Sequence, residues 1–343
     1  MKRDIRLLDL PEITKALAEM QEPAFRARQI YAWLWQKSAW SFDEMTNLSV
    51  SLRAKLKEQF VIRPVEVHKE QISKDGTIKS AFRLHDGHLI EGVLIPTDDR
   101  ATACVSSQVG CSLTCKFCAT GYMKRERNLD PAEIYDQVVL INQQALLTLG
   151  RPITNIVFMG MGEPLLNYAN VLKAIEHITS PEGLHISSKR ITVSTAGIAK
   201  MIKKLGEDQV KFNLALSLHA ANDVKRNTIM PINDTNNIPV LMEALNEFHQ
   251  KTGNKITFEY ILLDGVNDSL EDARELVGLC QLVPAKVNII EYNPIEEASF
   301  NRSKRERRDA FTQYLERQRV TASIRKSRGK DIDAACGQLA NKR

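Results

Sequence analysis

The chain has 343 residues, a formal net charge of +5, and 43% hydrophobic against 26% charged residues. That balance is ordinary for a folded chain of about two domains, or one large α/β domain with an appendage, and it excludes collagenous, coiled-coil and wholly disordered classes. No apolar run reaches the roughly 18 residues of a membrane span. The charged start Met1-Lys-Arg-Asp-Ile lacks an apolar signal core, so a cytoplasmic, thiol-reducing setting with no membrane partner is expected.

Charge is unevenly placed. Residues 301–343 hold 13 Lys and Arg against 5 Asp and Glu, a net +8, which leaves −3 for residues 1–300. Such a concentration either grips a polyanion such as RNA or forms a solvated helix face, and charge alone leaves both open.

Residues 1–62 read as helical. Asp9-Leu10-Pro11-Glu12 supplies a capping residue with Pro just inside the start, and Ile13, Leu17 and Met20 recur at helical spacing. A second helical stretch over 25–40 brings Phe25, Ile30, Trp33 and Leu34 near one face, which suits core packing, with base stacking as the alternative. Pro64 closes this region. From 65 to 95 the period becomes that of strands, punctuated by Asp75-Gly76 and Asp86-Gly87 turns.

From 100 onward strand and helix alternate. Strands are expected at 102–106, 155–159, 190–194, 211–218, 255–262, 286–291 and 320–325, with helices near 131–148, 169–179, 197–205, 239–251, 269–282 and 304–317. Repeated βα units imply an α/β fold: a partial (β/α)6-type parallel barrel whose active residues follow the strand ends, with a small N-terminal helical/α+β accessory domain. The expected division is a helical accessory domain at 1–62, a β-rich extension or linker at 63–99, the barrel at 100–300 and a basic C-terminal segment at 301–343.

Six cysteines stand at 104, 111, 115, 118, 280 and 336. In a reducing setting, metal or redox chemistry is favoured over a disulfide scaffold. Cys111-Ser-Leu-Thr-Cys115-Lys-Phe-Cys118 can wrap one small inorganic centre. Structural zinc would want a fourth ligand, and none is obvious nearby. A 4Fe-4S cluster held by three cysteines instead leaves one iron open to an exogenous ligand.

Met159-Gly160-Met161-Gly162-Glu163-Pro164 ends the second expected barrel strand, where glycines permit close backbone approach and a carboxylate can meet an ammonium. Ser194 ends the third strand, Ser217-Leu218-His219 the fourth, and Asn293-Pro294 follows the sixth. Each alone fits a capping or turn residue; together they converge on one mouth. Cys280, on an apolar helix, is expected to be packing.

The C-x3-C-x2-C spacing, with an aromatic before its third cysteine and a strand before its first, resembles that of the radical S-adenosylmethionine (SAM) enzymes. The resemblance implies a 4Fe-4S cluster on Cys111, Cys115 and Cys118 whose open iron chelates SAM, and one-electron cleavage of SAM to a 5′-deoxyadenosyl radical. It further implies SAM contacts from Gly162, Glu163, Ser194, Ser217, Leu218, His219 and Asn293. Two more stretches, Cys104-Val-Ser-Ser-Gln-Val-Gly-Cys111 and Ala334-Ala-Cys336-Gly-Gln-Leu339, extend the resemblance over nearly the whole chain, to the RlmN/Cfr family of RNA adenine methyltransferases.

In that family's mechanism, Cys336 takes a methyl group from one SAM and the radical from a second SAM abstracts hydrogen from the S-methyl group. The resulting carbon radical adds to adenine, and Cys104 resolves the adduct through a transient disulfide. The resemblance makes Glu91 the proton acceptor; read from Leu89-Ile90-Glu91-Gly92-Val93 alone, it is equally a paired strand carboxylate. The implied substrates are an adenosine of the peptidyl-transferase centre of 23S rRNA and the adenosine 3′ of the anticodon in some tRNAs, with an electron donor such as flavodoxin. Arg328-Gly329 before an acidic-aliphatic run looks more like the adenine-C2 branch than the C8 (Cfr) branch, although Lys330 stands where an acidic residue is common. The rival from another class is a noncatalytic zinc-bound RNA-binding protein.

Overall fold

The computed structural model describes residues 2–341. At the N-terminus β1 (Arg3–Asp4) is followed by α1 (Leu10–Glu19), α2 (Phe25–Trp35) and α3 (Val50–Gln59), and β2 (Phe60–Val61) returns to pair with β1 in parallel. The start of α1 is a full capping box: the Asp9 carboxylate accepts the Glu12 N–H at 2.8 Å, and Glu12 accepts the Asp9 N–H at 2.9 Å. Helix α2 stops at Trp35, short of the expected end, and Ser38 turns the chain with φ +54°.

The antiparallel strands β3 (Glu66–Ile72), β4 (Ile78–Arg83) and β5 (Leu89–Pro96) lead into β6 (Ala101–Cys104), with Val93 opposite Cys104. A short antiparallel pair, β7 (Gln108–Val109) and β8 (Arg127–Asn128), closes the base of the cysteine loop. Then come α4 (Pro131–Leu149), β9 (Asn155–Phe158), α5 (Tyr168–Thr179), β10 (Ile191–Thr195), α6 (Ala199–Glu207), β11 (Asn213–Ser217), α7 (Asp223–Ile229), α8 (Ile238–Thr252), β12 (Ile256–Leu262), α9 (Leu270–Leu282), β13 (Ala285–Glu291), α10 (Arg305–Arg317) and β14 (Ala322–Arg325).

These strands form one 10-stranded sheet in the order β14-β13-β12-β11-β10-β9-β6-β5-β4-β3. From β6 to β14 all neighbours are parallel, and each is the next barrel strand in the chain. Consecutive order of this kind is the partial barrel, in contrast to the doubly wound sheet, whose order reverses at a switch point. The strand ends therefore face one mouth. The β-rich extension lengthens the same sheet rather than standing apart from it, because β5 pairs directly with β6.

The N-terminal helices dock on α4 and α5. Trp35 stacks on His177 with ring centroids 3.6 Å apart and meets Tyr135 edge-on at 5.1 Å, and with Ile30 and Leu34 it is core, whereas Phe25, on the expected core face, is exposed. The buried Arg6 guanidinium forks onto both carboxylate oxygens of Asp136, at 2.9 and 2.8 Å, and Asp136 also accepts the Val65 N–H at 3.0 Å. Among the described residues, no helix is long and apolar enough to cross a membrane.

Candidate active site

A cavity of about 160 Å3 opens at the C-terminal ends of the parallel strands. Its walls carry Cys111, Cys115 and Cys118 from the loop after β7, Gly162 and Glu163 from the turn after β9, and Ser194, Ser217 and His219 from the ends of β10 and β11. Cys336 joins them from the C-terminal loop. The backbone folds the cysteine loop tightly: the Cys118 N–H donates to Cys115 O at 3.2 Å and the Gly121 N–H to Cys118 O at 2.8 Å. A side chain at Gly121 would sit 2.6 Å from the Cys115 carbonyl. Burial pushes the Cys111 thiol up to about 11 and raises Cys115 and Cys118 as well, so a metal centre must displace their protons.

Glu163 is buried and fixed by two backbone donors, Leu165 N–H at 3.0 Å and Ala196 N–H at 2.7 Å. Burial outweighs those bonds and pushes its carboxyl up to about 7. Gly162, at φ +93°, allows the turn; a Cβ there would lie 2.4 Å from Gln108 Cβ. His219 holds the left-handed conformation at φ +58°, a strained state that the surrounding bonds over-determine. Its Nδ1 accepts the Ile261 N–H at 3.1 Å, which leaves the proton of the neutral ring on Nε2, and Phe117 packs edge-on at 4.6 Å. Burial, and after it the Arg226 charge, push the imidazole down to about 3. The Ser194 and Ser217 hydroxyls are 3.4 Å apart.

Two of the expected SAM residues stand behind the wall. Leu218 is core, with its N–H on Glu259 O at 3.1 Å. Asn293 is buried, its Nδ2 donates to Cys336 O at 3.3 Å, and its Oδ1 has no hydrogen-bond partner among the described residues.

A second cavity, about 50 Å3, adjoins the first and is lined by Cys104, Met159, Ile290, Arg325, Arg328 and Cys336, among others. Met159, Ile290, Arg325 and Cys336 border both spaces. The loop carrying Cys336 is pinned along its length. Asp75 accepts the Gly329 N–H at 3.0 Å, Asp331 accepts the Lys74 N–H at 3.2 Å, and the Ala119 N–H donates to Gly337 O at 2.7 Å. Glu91 lines neither cavity. Its Oε2 accepts the Ala340 and Asn341 N–H groups at 2.9 and 3.2 Å, and its Oε1 pairs with Lys79 at 3.4 Å.

Two cations were not singled out from the sequence as parts of this site. Arg325 follows the rule that pointed to the other strand ends, since it closes β14; its guanidinium meets Glu259 at 3.3 Å. Arg226 reads as an ordinary helix-surface residue beside Lys225, yet it is wholly buried. Part of the C-terminal basic charge is engaged in intramolecular ion pairs: Arg307 pairs with Asp268 at 3.2 Å, and Lys330 with Glu291 at 3.3 Å. Cys280 packs partly buried against the core, as expected.

The donor set fits a thiolate-held iron-sulfur centre with an organic ligand beside it. Three soft donors share a largely apolar wall with the carboxylates of Glu163 and Glu259, and Asn293 keeps a buried acceptor free. Among the described residues, no three Cys, His, Asp or Glu side chains are grouped so as to hold one metal ion. All three thiols nonetheless line the same cavity.

Comparison with known proteins agrees with this geometry. Residues 4–62 match the ribosomal RNA large subunit methyltransferase N-terminal domain, and residues 105–277 match the radical SAM superfamily. A relative from Cytophaga hutchinsonii, named "Probable dual-specificity RNA methyltransferase RlmN", is 62% identical over 99% of this chain and 93% of its own. One from Geobacter sulfurreducens, named "Dual-specificity RNA methyltransferase RlmN", is 45% identical over 99% of this chain and 92% of its own. The crystal structure of a radical SAM methyltransferase from Sphaerobacter thermophilus superposes with a TM-score of 0.93 at 42% identity, covering 99% of this chain and all of that one. The chain belongs to the RlmN family of radical SAM RNA methyltransferases.

Proposed function

We propose that this enzyme methylates C2 of an adenosine in the peptidyl-transferase centre of 23S rRNA and of the adenosine 3′ of the anticodon in some tRNAs. The observation that carries the reading is Cys336 on the shared wall of two cavities, one bounded by the three-cysteine loop and strand ends, the other by Cys104. On this reading Cys111, Cys115 and Cys118 hold a 4Fe-4S cluster. Gly162, Glu163, Ser194, Ser217, Leu218, His219 and Asn293 form the SAM site, the buried pair Leu218 and Asn293 from behind. Together the bound groups supply a carbon-centred radical able to abstract hydrogen from a methyl group.

Adenine C2 is an electron-poor carbon, so direct displacement on the SAM methyl is unfavourable and the methyl must be carried. The Cys336 thiolate attacks the sulfonium methyl; the new S–CH3 bond replaces the old one and S-adenosylhomocysteine leaves. After loss of one hydrogen atom, the S–CH2 carbon bonds to ring C2. One electron then passes to a one-electron acceptor, the oxidised cluster or the electron-transfer protein, and the C2 proton to Glu91. The Cys104 thiolate attacks the Cys336 sulfur, forming an S–S bond as the S–C bond breaks, and the released carbon takes a proton to become the methyl group. Glu91 already holds the tail through two N–H bonds, so its proton transfer requires those bonds to loosen.

The basic segment at 301–343 and the appendage at 1–95 provide backbone grip on RNA, the barrel at 100–300 the chemistry, and Cys336 within the basic segment the methyl carrier. A small electron-transfer protein such as flavodoxin supplies electrons, and the reduced thiols suit the cytoplasm. Adenosines reached in this way must be unpaired or flipped. The test is anaerobic turnover of reconstituted enzyme with SAM, reductant and unmethylated 23S rRNA, read by nucleoside mass spectrometry. 2-Methyladenosine is the expected product; 8-methyladenosine moves the chain to C8 chemistry, and a colourless protein with stoichiometric zinc overturns the reading altogether.

A further inference from the structure

Arg226, on α7, is 0% exposed and lies directly behind the cavity. All five of its N–H groups are taken. Nε donates to Leu218 O at 3.0 Å, Nη1 to Asn233 Oδ1 at 2.6 Å and Asn236 O at 3.4 Å, and Nη2 to Ala196 O at 2.6 Å and Ser217 O at 3.3 Å. Two of those carbonyls belong to residues that wall the cavity, Ala196 and Ser217. Every acceptor is neutral. The nearby carboxylate of Asp223 is spent on Asn233 Nδ2 and the Ile238 N–H, both at 2.9 Å.

Hydrogen bonding is therefore complete, but charge is not. A buried cation without a carboxylate is costly, and a clamp on strand-end carbonyls could have been built from neutral amides. The missing charge lies on the cysteine side. Ile229 O at the end of α7 accepts the Lys116 N–H at 3.0 Å, and Met230, the next residue, lines the cavity with Cys115. Burial lowers the Arg226 pKa to about 10, and Cys115 and Asp223 are the charges that act against that fall.

We infer that Arg226 is a built-in counter-charge for the cluster site, a positioning residue whose fixed positive charge favours the added electron on a thiolate-held cluster and so raises its reduction potential. The inference rests on the three cysteines being cluster ligands. Thiolates bring negative charge into a low-dielectric cavity and reduction adds one more, so a cation nearby counts for more than it would in water. Its hydrogen bonds alone would fix the mouth without touching the potential.

Two substitutions separate charge from hydrogen bonding. Arg226→Gln removes the charge and keeps an amide donor; Arg226→Lys keeps the charge with fewer donors. The readout is the cluster midpoint, from redox titration followed by electron paramagnetic resonance on the reconstituted full chain without SAM. In Arg226→Gln the reduced-to-oxidised ratio at fixed ambient potential is expected to fall about tenfold or more, a midpoint 59 mV or more further negative for one electron, while Arg226→Lys stays within about threefold. An unshifted midpoint in cluster-loaded Arg226→Gln overturns the inference, as do equal shifts in both variants or loss of the cluster by both. Should only the Gln variant lose its cluster, the Lys variant decides: a wild-type midpoint supports the charge, a tenfold shift refutes it. Failure of the wild type itself to form a cluster would strike the cysteine assignment instead.

Discussion

Glu163→Gln separates a binding carboxylate from a structural one. The wild-type carboxyl, buried on two backbone donors, ionises at about 7. If only the carboxylate grips the SAM amino group, the competent fraction is roughly nine-tenths at pH 8 and one-tenth at pH 6, so apparent affinity falls about tenfold between them. The α-amino group of SAM also titrates in this range, but it does so identically with both proteins. The informative quantity is therefore the ratio of the two dissociation constants. At pH 8 the variant is expected to bind roughly 10- to 100-fold more weakly, since a charge-assisted hydrogen bond is worth about 1.5–3 kcal/mol. By pH 6 that ratio should shrink about tenfold.

Stability moves the other way. A carboxyl raised from 4.5 to about 7 contributes stability that is present below 4.5 and lost as pH rises through 7. At pH 8 the wild type forgoes about 3 kcal/mol in this way, since each pKa unit is worth 1.36 kcal/mol. The amide escapes that penalty but turns an N–H toward a backbone donor, which costs about 1–3 kcal/mol. The apo variant is thus expected to unfold in urea at nearly the wild-type midpoint at pH 8. Equilibrium dialysis with labelled SAM on anaerobic, reconstituted protein provides the binding arm. A ratio that stays flat from pH 6 to 8, or a variant that loses binding and stability together, refutes the reasoning.

Arg6→Met leaves both Asp136 and Asp4 buried without their cation and should cost about 3–5 kcal/mol in urea unfolding, part of it regained in Arg6→Met/Asp136→Leu; a double variant no better than the single one contradicts a charge penalty. Cys104→Ala should accumulate RNA bound covalently to Cys336 under turnover, visible as a slow-migrating, nuclease-sensitive band, and its absence would remove the resolving role. Gly162→Ala forces a Cβ into Gln108 at φ +93°, a strain of about 1–3 kcal/mol, so SAM affinity measured by the same dialysis should drop while the N-terminal aromatic core is unaffected.

Periodicity carried the barrel because its strands and helices are locally consistent: the strand at 256–262 is buried at every position, and the Pro131–Leu149 helix begins with Asp130, Pro131 and Glu133. The short helix Asp223–Ile229 escaped notice, since seven residues leave too few turns for a periodic signal. Strand-end residues were legible as a group because the fold itself puts functional side chains there. The placement of Glu91 was not legible. Its partners Ala340 and Asn341 come from the far end of the chain, and only the folded tail shows that a carboxylate in the middle of β5 is occupied.

The two adjoining cavities arise from the same long-range closure. Cys104 ends the first parallel strand, and Arg325 the last; the sheet leaves them at opposite edges of the parallel array. Arg325 nonetheless lies within reach of Met159 Sδ, at 3.6 Å, beyond the end of β9, so the curved array brings its edges together at the mouth. The tail then crosses that seam, with Gly337 O on the Ala119 N–H beside the cysteine loop and Ala335 in the wall of the second cavity. The Cys336 thiol at this seam borders both spaces. Hydrogen bonds from Gly329 to Asp75 and from Ala340 to Glu91 hold the loop on either side of Cys336. On the proposed mechanism, one anchored residue would then supply proximity for both the methyl transfer and the thiol exchange.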